Sequence, residues 1–106
     1  MVENLTVDLS SFLHCAMPQR SVTIHVAGKV QGVFFRKSAQ WHAESLNIRG
    51  HACNLPDGRV RIEAEGPQEE VDRFIDWCHQ GPSDARVDEV LVEDVAWRDL
   101  PEFHVI

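Results

Sequence analysis

The chain has 106 residues, 43% of them hydrophobic, and a net charge of −7, which suits one compact domain with a real core. That acidic balance argues against nucleic acid or an anionic membrane as the main partner, because both demand a basic surface. No apolar run approaches the roughly 20 residues that span a bilayer, no basic region with an apolar signal core opens the chain, and three cysteines lack paired spacing, so reduced thiols in the cytoplasm are expected.

Residues 1–19 carry no basic group and no clear period, and are read as an N-terminal extension to a domain over residues 20–106. Val22, Ile24 and Val26 then alternate with Ser21, Thr23 and His25, the period of a strand with one buried face. After a glycine-bearing turn, Phe35, Ala39, Ala43 and Leu46 make one apolar stripe, which predicts a helix with Asn47 as its left-handed end. Ile48, Gly50 and Ala52 alternate with Arg49, His51 and Cys53 as a second strand. Leu55, Pro56, Asp57 and Gly58 are turn chemistry, and Val60, Ile62 and Ala64 alternate with outward Arg61, Glu63 and Glu65, completing a hairpin. Gly66 and Pro67 open a second helix, whose core stripe is Val71, Phe74, Ile75 and Cys78, and Gly81 and Pro82 stop it. A strand through Val87, Val90, Leu91, Val92 and Val95 follows, with a short fifth one over Phe103, His104, Val105 and Ile106.

The order βαββαβ is the split βαβ arrangement: an α+β fold, with an antiparallel sheet of four to five strands and both helices on one face. Right-handed crossovers put strands 1 and 3 in the centre, strand 2 beside strand 3 and strand 4 beside strand 1. The C-terminal ends of strands 1 and 2 then share one sheet edge. Two strand spacings, about 10 Å, separate them, room for a phosphate and a water.

The stretch from Gly28 to Arg36 leaves strand 1 at that edge and enters a helix. On its own it reads either as a phosphate cradle or as a tight connection whose arginine faces solvent. Charge favours an anion in the first half: seven Lys or Arg lie between Arg20 and Arg61 against only Glu44 and Asp57, whereas thirteen acids from residue 62 onward face three arginines. Asn54 leaves strand 2 at the same edge. Hydrolysis of a carboxylic-phosphoric anhydride expels a stable carboxylate, so such a site needs no general acid. It needs donors for the phosphoryl oxygens and a group that holds a water in line. Backbone N–H groups of Gln31, Gly32, Val33, Phe34, Phe35 and Arg36, with the Arg36 guanidinium, supply the first, and the Asn54 amide the second.

Val30, Gln31, Gly32, Val33, Phe35 and Arg36, together with Gly50, Asn54, Pro56, Asp57, Gly58, Val60, Glu65, Gly66 and Pro67, resemble the two signature regions of the acylphosphatase family. The resemblance runs from about Val22 to Ile106. It implies a ferredoxin-like fold and metal-free, cofactor-free hydrolysis of small acyl phosphates, with Arg36 on the phosphate-binding arginine and Asn54 on the asparagine that positions water. A monomer acting on a small molecule is the expectation. His51, where an aromatic residue is common, and Cys53, where a basic or polar one is, depart from the pattern.

Two other readings compete. Cys53 and Arg59 have the C-x5-R spacing of cysteine-dependent phosphatases, but a hairpin turn follows Cys53 where a helix N-terminus is needed. A non-catalytic binding module would keep the fold without the chemistry. An RNA-binding version would want outward aromatics and basic charge, and a metal chaperone CxxC; the sequence has neither.

Overall fold

A computed structural model of the chain describes residues 18–106; the expected extension over residues 1–19 lies outside them except for Pro18 and Gln19, the latter being the first residue of the first strand. The elements are β1 (Gln19–Lys29), α1 (Phe35–Ser45), β2 (Arg49–Asn54), β3 (Val60–Pro67), α2 (Gln68–Gln80), β4 (Arg86–Asp94) and β5 (His104–Val105). The sheet order is β4-β1-β3-β2-β5, so β1 and β3 are central as the crossovers require. The sheet is antiparallel through its first four strands as expected, and the short fifth strand, whose direction the sequence left open, runs parallel to β2, pairing His51 with His104 and Ala52 with Val105. The reason is the long connection from β4, which crosses one face of the sheet and delivers the chain to the far edge in the direction of β2.

Both helices pack on the other face. Val22, Ile24 and Val26 of β1, Val60, Ile62 and Ala64 of β3 and Ala52 of β2 meet Phe35, Ala39 and Ala43 of α1 and Val71, Phe74, Ile75 and Cys78 of α2. Burial pushes the Cys78 thiol far up, so it behaves as a small apolar side chain. Trp77 lies against Phe35 and stacks on His42 at 4.5 Å, joining the two helices. Asn47 takes φ 57° and ends α1, as expected.

The face away from the helices is not simply solvated. Glu63 and Glu65, read from their alternation as outward residues, are buried there, because residues 95–103 run across them. Arg98 donates to Glu63 and, through its guanidinium, to Ser21 and the Val22 carbonyl. Glu65 accepts from Ser21 Oγ at 2.8 Å and from the backbone N–H groups of Arg98 and Leu100. Burial pushes the Glu65 carboxyl up, but these donors outweigh it and hold its pKa below the usual value. Glu63 follows the same balance, with Thr23 Oγ1 donating at 2.6 Å and Arg98 beside it.

Candidate active site

The connection from β1 to α1 begins at a bulge between Ala27 and Gly28. Gly28 answers to packing there, since a Cβ would collide with the Arg86 backbone carbonyl on β4. Gly32 is different. At φ 77° its added Cβ would meet nothing, so its backbone freedom shapes the loop while one side stays open. Phe34 also takes a left-handed conformation, φ 62° and ψ 25°, at the start of α1, and no side chain caps that helix end.

These turns leave donors without acceptors. Among the described residues, the N–H groups of Gln31, Gly32, Val33 and Phe34 donate to no carbonyl or side chain, and the first turn of a helix has no internal acceptors for its own N–H groups. The result is a run of donors at the positive end of a helix dipole, the arrangement that receives a phosphate.

A single cavity of about 470 Å³ opens at this point, lined by Val30, Gly32, Phe34, Phe35, Arg36, Lys37, Asn54 and Val105. It brings Arg36 and Asn54 together although they are 18 positions apart and belong to different elements, Arg36 to the first turn of α1 and Asn54 to the end of β2. The Gln31 amide N–H borders the same loop, but its side chain turns toward the β2–β3 hairpin. Nε2 donates to the carbonyls of Leu55 at 2.8 Å and Arg59 at 3.0 Å. Lys37 also lines the cavity, while its ammonium bonds Gln40 Oε1 at 3.1 Å.

Sequence reasoning overlooked two contributors at β5, and it singled out His51 without its partner there. The Arg36 guanidinium donates to the Ile106 carbonyl at 2.7 Å, which fixes the fork from the side of β5. Val105 of β5 forms part of the cavity wall. His51 lies with its ring 5.5 Å from that of His104, joining β2 to β5, and burial lowers its pKa against the opposing pull of Glu63. Only the apolar character of residues 103–106 hinted at these contacts; nothing local in the sequence pairs residue 36 with residue 106.

Cys53 is the next-to-last residue of β2, paired opposite Arg61, and residues 55–58 form a turn closed by the Leu55 N–H to Arg59 carbonyl bond of 2.8 Å. No helix N-terminus follows it, so the geometry of a cysteine phosphatase loop is missing there. Among the described residues, no group of three or more His, Cys, Asp or Glu side chains is arranged to hold a metal ion.

A split βαβ sandwich with unpartnered amides, an arginine and an asparagine around one cavity defines an anion-binding α+β domain. The family model described as acylphosphatase matches residues 22–105. An acylphosphatase from Rubrobacter xylanophilus is 46% identical over 82 residues, spanning 77% of this chain and 74% of the relative. Solved structures agree: acylphosphatases from Coxiella burnetii and Bacillus subtilis superpose with a TM-score of 0.80 each, at 35% and 30% identity. The superpositions cover 83% and 84% of this chain and 93% and 99% of theirs. The chain belongs to the acylphosphatase family, and its activity is hydrolysis of acyl phosphates.

Proposed function

We propose that the loop from Gln31 to Arg36 binds the phosphoryl group and that Asn54 holds the attacking water, with no metal or cofactor, in a cytoplasmic monomer acting on small acyl phosphates. The observation that carries this reading is the shared cavity of Arg36, Asn54 and the unpartnered loop amides. The amides and the guanidinium fork are donors for three phosphoryl oxygens, preorganised so that little reorients as charge shifts during transfer. The Asn54 carbonyl oxygen accepts from the water, which attacks phosphorus opposite the acyl oxygen.

The balance of the step explains why so few groups suffice. The P–O bond to the acyl oxygen breaks, its electron pair leaves with a carboxylate, and both water protons stay on the product, dihydrogen phosphate. A dianionic acyl phosphate thus gives two monoanions, and no protein base keeps a proton. The free thiols of Cys53 and Cys78 are compatible with a reducing compartment and support the cytoplasmic reading.

The test is hydrolysis of acetyl and benzoyl phosphate by the wild type beside Arg36→Ala and Arg36→Lys. The alanine variant should lose about 10³-fold or more in kcat/KM, as for removal of a charged transition-state donor. Lysine should not restore it, since an ammonium lacks the planar fork. An Arg36→Ala enzyme with near-normal turnover would remove Arg36 from the mechanism. Sedimentation or light scattering of the active protein tests the monomer.

A further inference from the structure

The cavity is larger than a phosphoryl group needs, and its remaining wall has a distinct chemistry. Beyond Arg36, Lys37 and Asn54 it is formed by Val30, Phe34, Phe35 and Val105, with Gly32 contributing no side chain. Phe34 stands out among these. It is 76% exposed, so its ring gains little from folding, and it is held in a left-handed backbone conformation that bulky residues seldom adopt. A large apolar side chain in such a position does nothing for the core, and residues kept in sparsely populated conformations concentrate at functional sites.

From these features we infer that Phe34 is a specificity-determining residue: its ring forms the floor on which an uncharged, apolar acyl group of the substrate lies. The inference rests on the acylphosphatase reading of the cavity. Phe34 is one of the cradle residues, so its ring stands at a fixed offset from the phosphoryl site, and a carbonyl carbon is joined to the phosphoryl group through a single oxygen. A planar or branched acyl group therefore reaches the ring while the phosphate occupies the amides. Stacking and area removed from water then favour large apolar acyl groups over acetyl. The rival, an acyl group with a second negative charge, would have to use Lys37. Lys37 lines the cavity, but its ammonium is bonded to Gln40 and the residue is exposed, so an ion pair made there contributes little.

The experiment measures kcat/KM for benzoyl, acetyl and succinyl phosphate with the wild type, Phe34→Ala, Phe34→Leu and Arg36→Ala. The readout is the benzoyl-to-acetyl ratio, in which any loss common to both substrates cancels. Phe34→Ala should lower that ratio about tenfold, the effect of removing one apolar contact face, and Phe34→Leu should lower it less. An unchanged ratio overturns the inference, as does a wild-type preference for succinyl phosphate that Phe34→Ala leaves intact. A wild type inactive on all three substrates would instead count against the acylphosphatase reading itself, and Arg36→Ala, which should lose all three alike, separates the two failures.

Discussion

The carboxamide nitrogen of Gln31 donates to the Leu55 carbonyl at 2.8 Å, so one side chain ties the loop of unpartnered amides to the residue that follows Asn54. Its second bond, to the Arg59 carbonyl at 3.0 Å, grips the other arm of the same hairpin. Asn54 ends β2 paired with Val60 of β3 and has no side-chain hydrogen bond of its own among the described residues, so this tie adds to the sheet in holding it at its distance from the cradle. Gln31→Leu should therefore lower kcat about tenfold through misplacement of the water, since errors of about 1 Å in a reacting group cost up to 10²-fold. Inhibition by inorganic phosphate should stay close to wild type. In an Asn54→Ala background the Gln31 change should add almost nothing, because coupled residues are non-additive. Losses that multiply, or a phosphate affinity that falls along with kcat, would show that Gln31 acts elsewhere.

Asn54→Ala should separate chemistry from binding. In the role proposed above the asparagine contacts the water and not the phosphoryl oxygens, so kcat is expected to fall by about 10²-fold or more while KM changes little. A variant with raised KM and unchanged kcat would assign Asn54 to ground-state binding instead.

Cys53→Ser should retain near wild-type turnover, and activity should survive EDTA. The thiol sits in paired strand opposite Arg61 with a hairpin turn after it, so it has no cradle to attack into. Near-complete loss in the serine variant would reinstate a covalent cysteine mechanism. A demand for added Mg²⁺ would contradict the amide and guanidinium donors proposed above.

The strands and helices were legible because their periods are clean: Val22, Ile24 and Val26 on one side, and Phe35, Ala39 and Ala43 at helical spacing. Arg36 and Asn54 could be placed in one site from sequence, because the crossover rules put the ends of β1 and β2 at one edge and the family motif names both residues. What stayed hidden depends on distant chain segments. Alternation marks Glu63 and Glu65 as outward but cannot show that Arg98 will arrive 33 to 35 positions later to cover them. Nor does any local pattern reveal that the Ile106 carbonyl meets Arg36, or that Gln31 contributes its side chain as well as its amide. Direction of the last strand was open for the same reason: two residues carry too little pattern to choose between parallel and antiparallel.

The buried carboxylates make an acid-stability prediction with a definite sign. Glu65 has an ordinary pKa of 4.5, and in the folded protein its donors hold it lower despite burial. Glu63 is shifted the same way. A depressed folded pKa means the unfolded chain binds the proton more readily, so the contribution to stability is complete above 4.5 and is lost as pH falls through the folded values. Glu65→Gln should cost about 1–3 kcal/mol at pH 7, because the Ser21, Arg98 and Leu100 donors then face a neutral group with one oxygen fewer. Denaturant unfolding at pH 7, 5 and 3.5 checks both points. The wild type should weaken mainly between the last two values, and the gap between it and Glu65→Gln should narrow there. A gap that is constant with pH would mean that the Glu65 charge, as opposed to its shape, contributes nothing to holding residues 98–100 across the sheet.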